Sequence, residues 1–182
     1  MTPTTPTGSP SSAAPWGKGR LVIERLIEEG RLDTVVPDES VVQRQMAYAA
    51  QHLSAAREQV DRFPLPAFTS AYDAARLMMS AVLERQGLRL KAEAAHLTVE
   101  EATSAQISEA VGRKFRAIRL LRHASEYPAP GKEGADEDAA REAVHFAETL
   151  QTAVTKLLPN LGVFSPPATG HGRQQPPRPP RG

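Results

Sequence analysis

Residues 38–60 read DESVVQRQMAYAAQHLSAAREQV, and their spacing decides the fold class. Val42, Met46, Ala49, Leu53, Ala56 and Val60 recur in steps of four and three. At 3.6 residues per turn that puts them on one face of a helix. Arg44, Gln45, Gln51, Glu58 and Gln59 fall largely elsewhere. Asp38 or Ser40 supplies the N-cap, since each has a side-chain oxygen that can accept from an orphan backbone N–H.

The same reading extends both ways. Upstream, Val22, Ile23, Leu26 and Ile27 make a short amphipathic helix that begins near Lys18 and stops at Gly30. Downstream, Phe63-Pro64-Leu65-Pro66 breaks the chain. A third helix runs from about Ala67, with Phe68, Ala71, Tyr72, Ala75, Met79, Val82 and Leu83 at helical spacing, and Gly87 ends it. Residues 88–97 read as a connection. Thr98 with Glu101 fits a capping box, opening a helix that carries Val99, Ala102 and Ile107. The next helix covers roughly Glu109 to Ser125, with Val111, Phe115, Ile118 and Leu121 as its apolar face. Tyr127-Pro128-Ala129-Pro130-Gly131 breaks the chain again. Asp136, Glu137 and Asp138 favour the positive end of a last helix dipole. Its stripe runs through Ala140, Ala143, Val144, Ala147, Leu150 and Val154 to Pro159, after which Leu161, Val163 and Phe164 fold back onto the core.

No stretch shows the sustained alternation of a strand. Five or six helices with single apolar stripes and short connections imply an all-α antiparallel bundle whose body is four long helices. Eleven of the 16 prolines lie in the first 15 residues or from Pro159 onward. The expected organisation is a disordered tail over residues 1–17, one helical domain over 18–164, and a disordered Pro/Arg-rich tail over 165–182. Trp16 is the one large apolar group of the first tail and is expected to dock on the domain edge.

A net charge of +1 gives no global nucleic-acid signature, so any basic site must be local. The absence of cysteine excludes disulfides and thiolate chemistry and fits a cytoplasmic setting. No apolar run reaches the roughly 20 residues that span a bilayer, so no membrane partner is expected. No nucleotide-binding glycine loop, HExxH or GxSxG occurs, and no cofactor or metal is implied. His52 and His145 sit beside apolar stripes and read as boundary histidines.

One segment departs from this plain pattern. Residues 113–123 read RKFRAIRLLRH, with Arg113, Lys114, Arg116, Arg119 and Arg122 and no acid. Arg122 lies angularly between Phe115 and Ile118, at the edge of the apolar face, where a guanidinium needs a partner; Glu126 at i+4 supplies one. A solvated basic face explains the run. A phosphate-binding groove explains it as well, because the planar guanidinium fork donates two parallel hydrogen bonds to phosphate.

The segment Arg122-His123-Ala124-Ser125-Glu126-Tyr127-Pro128 resembles the signature of HEPN domains, small helical bundles in which an arginine precedes a histidine by four to six residues. It is most similar to a prokaryotic group that reads Arg-Asn, two residues, then Glu-Tyr, after several basic residues. His123 stands where asparagine is usual, and Tyr127 where the histidine would be. Ala67-Phe68, Ala71-Tyr72-Asp73-Ala74-Ala75-Arg76, Gly87-Leu88-Arg89 and His96 resemble the core helix and following loop of that group, so the likeness covers about residues 38 to 164.

The resemblance implies RNA binding and, in catalytic members, a metal-independent endoribonuclease of a toxin-antitoxin or defence system. There two copies of the chain pair across one cleft, with a cognate antitoxin or nucleotidyltransferase as a further partner. By resemblance Arg122 is the cation that stabilises phosphoryl charge. The proton carrier is left open. Tyr127 is a poor base, since a free phenol keeps its proton at neutral pH, but can position a phosphate or stack on a base. His123 is an imidazole, and Arg119 and His123, at i,i+4, form an alternative pair. Tyr72, Asp73, Arg76, His96 and Glu126 are expected to border the cleft, though an Asp73–Arg76 surface pair, a buried Tyr72 and a loop-anchoring His96 account for them equally. The alternative function is a non-catalytic helical module for dimerisation or protein interaction, or a regulatory subunit.

Overall fold

A computed structural model describes residues 17–92, 95–131 and 134–165. Most of the two expected tails, Trp16 included, lies outside the described residues. The elements in chain order are α1 (Arg20–Glu28), β1 (Leu32–Thr34), α2 (Glu39–Gln59), α3 (Pro64–Arg85), β2 (Leu88–Leu90), α4 (Ala95–Gln106), α5 (Glu109–Glu126) and α6 (Glu137–Leu157), with a 3₁₀ turn over Leu158–Asn160. The fold class is the all-α bundle that the periodicities require.

Side-chain caps explain where α2, α5 and α6 start. The Asp38 carboxylate accepts from Ser40 N at 2.9 Å, Ser108 Oγ from Val111 N at 3.2 Å, and Asp136 from Ala139 N at 2.8 Å. α3 starts at Pro64, earlier than Ala67, because a proline in the first turn gives up no intrahelical bond. α4 also starts early, at Ala95. The capping box expected at Thr98 is therefore corrected. Thr98 is fully buried inside the helix and takes a bond from Arg31 Nε, while Glu101 is drawn off by Arg25 and Arg31.

β1 and β2 form an antiparallel pair that periodicity did not reveal, since three residues are too short to show alternation. Leu32 faces Leu90 and Thr34 faces Leu88. Gly87 makes this pairing possible: its φ is +76°, and a Cβ there would stand 2.5 Å from Val35 O.

α3 is the axis of the domain. Buried residues occur all round it, from Ala67 and Phe68 to Leu83 and Glu84, and α2, α4, α5 and α6 all pack on it. The short 60–63 connection makes α2 and α3 antiparallel neighbours. Beyond α6, Leu161 and Phe164 are buried as expected, whereas Val163 is exposed. Phe164 N donates to Gln86 O at 2.8 Å. The buried Gln86 and Gln106 side chains exchange two amide hydrogen bonds, at 2.8 and 3.1 Å, joining the C-terminal ends of α3 and α4.

α4 and α5 approach closely at Gly112, where a Cβ would meet Ser104 Cβ at 2.4 Å and Ser104 Cα at 3.0 Å. Gly112→Ala is expected to destabilise the domain by about 1–3 kcal/mol through overpacking, against the propensity gain of about 1 kcal/mol that alanine brings to a helix. Ser104→Gly in the same chain should recover much of the loss. Denaturant unfolding of the two single variants and the double variant measures this, and a Gly112→Ala chain more stable than wild type would show that the contact is not close.

Candidate functional site

The site is built around the ring of Tyr72, fully buried at the middle of α3. Phe115, also fully buried, comes from α5 and stacks on it with ring centroids 5.2 Å apart at 9°. Two turns on, α5 lays the Arg122 guanidinium over the same ring, with its carbon 4.6 Å from the centroid. From α4, His96 stacks at 6.0 Å and 21°, and its Nδ1 lies 2.6 Å from the Tyr72 hydroxyl. His96 is therefore the second residue of a helix and not a loop anchor.

These groups meet at a cavity of about 150 Å³ lined by Tyr72, His96, Arg119, Arg122, His123 and Glu126. Six side chains singled out by sequence thus converge from three helices. Asp73 and Arg76 lie on α3 beside Tyr72, with Arg76 Nε 3.6 Å from the Asp73 carboxylate. That is an ion pair too long for a hydrogen bond.

The Arg122 side chain is 21% exposed, and its Nη2 sits 3.0 Å from Glu126 Oε1. Its Nε is buried without a hydrogen-bond partner, and so is Arg76 Nε. Buried donors are nearly always satisfied, so two unmatched guanidinium nitrogens beside one tyrosine mark a site short of acceptors.

The other basic residues of the α5 segment are placed differently. Arg119 is locked to Glu100 of α4 at 2.7 Å, with both side chains mostly buried. Arg116 lies 3.9 Å from the same carboxylate, Arg113 pairs with Glu109 at 3.2 Å, and Lys114 pairs with Glu142 of α6. Arg113, Arg116 and Arg119 line a larger groove of about 660 Å³ between α4 and α5, together with Glu100, Glu101 and Glu109. Arg119 borders both cavities. Tyr127 ends α5 in a non-helical conformation. It is exposed, and its ring tilts against His123 at 4.9 Å without lining the small cavity.

Sequence reasoning missed Glu100 and Phe115 as parts of the site. Phe115 carried a signal, since it lies seven residues, two helical turns, before Arg122. Glu100 carried none, because its partner is reached only through the packing of α4 on α5.

Burial pushes the Tyr72 phenol above its ordinary range, against the opposing pull of Arg122 and Arg76. His96 is held below its usual 6.5, first by desolvation and then by the positive charges of Arg76 and Arg122, with Asp73 opposing. The cleft thus favours a protonated phenol and a neutral imidazole, which matches a phenol O–H donating to a bare Nδ1. Among the described residues no group of three or more His, Asp or Glu is placed to hold a metal ion. Among them, too, no helix is long and apolar enough to cross a membrane. Set against known proteins, the chain matches no protein-family model, no curated protein and no solved structure.

Because His96 has its pKa lowered in the fold, the unfolded chain binds its proton more readily. The stability this gives is complete above 6.5 and is lost as pH falls through the folded value. Arg76→Gln removes the largest of the opposing charges and should raise the His96 midpoint towards 6.5. Ring-nitrogen NMR titration of the two proteins reads this; a midpoint unmoved by the substitution would show that Arg76 does not act on His96.

Proposed function

We propose that the small cavity binds the phosphate backbone of RNA, and that the chain cleaves the strand without a metal ion. The observation that carries this is the state of Arg122. Its guanidinium is fixed against Tyr72, its Nη2 is paired with the part-exposed Glu126, and its Nε is buried without a hydrogen-bond partner. A cavity of about 150 Å³ is well below the 300 Å³ and more of a drug-sized site. It suits a phosphate group, with the rest of the nucleotide outside. The resemblance of Arg122–Pro128 to HEPN motifs supports the same reading. It also supports a homodimer that brings two such cavities together, and a place beside an antitoxin or nucleotidyltransferase partner.

In this reading Arg122 stabilises the charge that grows on the phosphoryl oxygens as a ribose 2′-hydroxyl attacks phosphorus. His123, in the same cavity, takes the hydroxyl proton. The P–O5′ bond breaks as the new P–O2′ bond forms. The departing 5′-oxygen needs one proton, which the imidazolium of His123, or of a paired copy, returns. The products are a 2′,3′-cyclic phosphate and a 5′-hydroxyl. Tyr127 braces His123 through their ring contact.

A second reading, a non-catalytic dimerisation or docking module, draws on Leu97 and Leu120, which are about half exposed on α4 and α5. Incubating purified protein with total RNA in EDTA separates the two. Wild type should cut RNA and leave cyclic phosphate ends. Arg122→Ala should cut at least about 100-fold more slowly, the scale of losing one such charge-stabilising donor, and bind RNA less at low salt, with its helical circular dichroism unchanged. Wild-type protein that neither binds nor cuts RNA at low salt would overturn the proposal and leave the docking reading.

A further inference from the structure

The Tyr72–His96 contact has a consequence for the chemistry of the cavity. A tyrosine hydroxyl has one proton to donate. Around Tyr72 stand the cations Arg76 and Arg122, which accept nothing, the Asp73 carboxylate, which faces Arg76, and the Nδ1 of His96, which lies within hydrogen-bond distance of the hydroxyl at 2.6 Å. The phenol proton therefore points at Nδ1, so Nδ1 carries the lone pair and Nε2 carries the ring proton. Held in this tautomer, His96 offers the cavity an N–H donor and no base.

We infer that His96 is a phosphate-binding residue, fixed by Tyr72 with its Nε2–H towards the cavity, where with Arg122 it makes a cradle of donors for one phosphate group. Three features carry this. His96 is bonded and stacked on a fully buried ring and is not free to turn. It is an exposed residue and lines the cavity. The one carboxylate on the cavity wall is that of Glu126, which already sits on Arg122. An arriving phosphate must displace that carboxylate, and Glu126, about half exposed, has room to swing into solvent. Glu126 is then a competitor for the site and not a part of it.

The inference rests on the phosphate reading of the cavity and sharpens it. It assigns grip to His96 and Arg122 and leaves proton transfer to His123. The phosphate can belong to an RNA strand or to a free or terminal phosphate, and the donor set is the same for each.

The test uses the full chain with inorganic phosphate as the probe, so neither RNA nor cleavage is required. Nitrogen-15 NMR at pH 8 should show His96 with a bare Nδ1 and a protonated Nε2, and phosphate should shift Nε2. Tyr72→Phe removes only the hydroxyl and should bind phosphate several-fold more weakly with the fold intact. Glu126→Gln should bind several-fold more tightly, because it removes the carboxylate that competes for Arg122. A second titration, with a short RNA carrying a 3′-phosphate against the same RNA without it, distinguishes a terminal phosphate from a backbone one. If wild type binds no phosphate of any kind, both this inference and the phosphate reading fall. If it binds but Tyr72→Phe binds equally well, or if the proton lies on Nδ1, the role given to His96 falls alone.

Discussion

The buried ring of Tyr72 is where three helices agree on their positions. α3 supplies it, α5 covers it with Phe115 and Arg122, and α4 bonds its hydroxyl through His96. An aromatic side chain with a polar tip can do both jobs, because its faces take apolar and cationic neighbours while its hydroxyl needs a partner. A leucine at position 72 would fill much of the volume but would hold neither the guanidinium nor the imidazole. Packing of the core and arrangement of the cavity are thus one event, since each ring contact that excludes water from α3 also aims a functional group.

That arrangement is kept rigid by contacts away from the cavity. Gly112 lets α5 close on Ser104, and the Gln86–Gln106 amide pair fixes the far end of α4 to α3. Arg119 and Glu100 add a mostly buried ion pair between α4 and α5 at the cavity wall. A pair of this kind gives little net stability, since desolvation offsets its attraction, but breaking it leaves one charge uncompensated. Its use here is positional: it settles which arginine of the basic segment is consumed by the fold, and that arginine is the neighbour of the one left partly unmatched.

α2, α5 and α6 were legible because each has one apolar stripe and a capping side chain at its start, Asp38, Ser108 and Asp136. α4 was the least legible, its start misplaced at Thr98, because its contacts with α1 and the segment after it override the local capping pattern. The β1–β2 pair was invisible for a related reason: three-residue strands have register but no periodicity. At the site, Tyr72, His96, Arg122 and Glu126 could be marked from sequence, but not their order of contact. Local spacing gave the Arg122–Glu126 pair, which is i,i+4 on one helix. The Tyr72–His96 bond joins residues on different helices, and no local rule reaches it.

The same distinction explains why RKFRAIRLLRH is a weaker basic face than its letters suggest. Lys114 is neutralised by Glu142, Arg113 by Glu109 and Arg119 by Glu100, with Arg116 near the same carboxylate. An exposed pair such as Arg113–Glu109 holds little free energy and yields easily to a better anion, whereas Arg119–Glu100 is mostly buried and does not. Attraction to a polyanion therefore depends on which pairs open at low cost, not on how many arginines the segment has. By that measure Arg122 stands apart. Its single carboxylate is half in solvent, its Nε has no partner, and an aromatic ring keeps it in place while Glu126 is displaced.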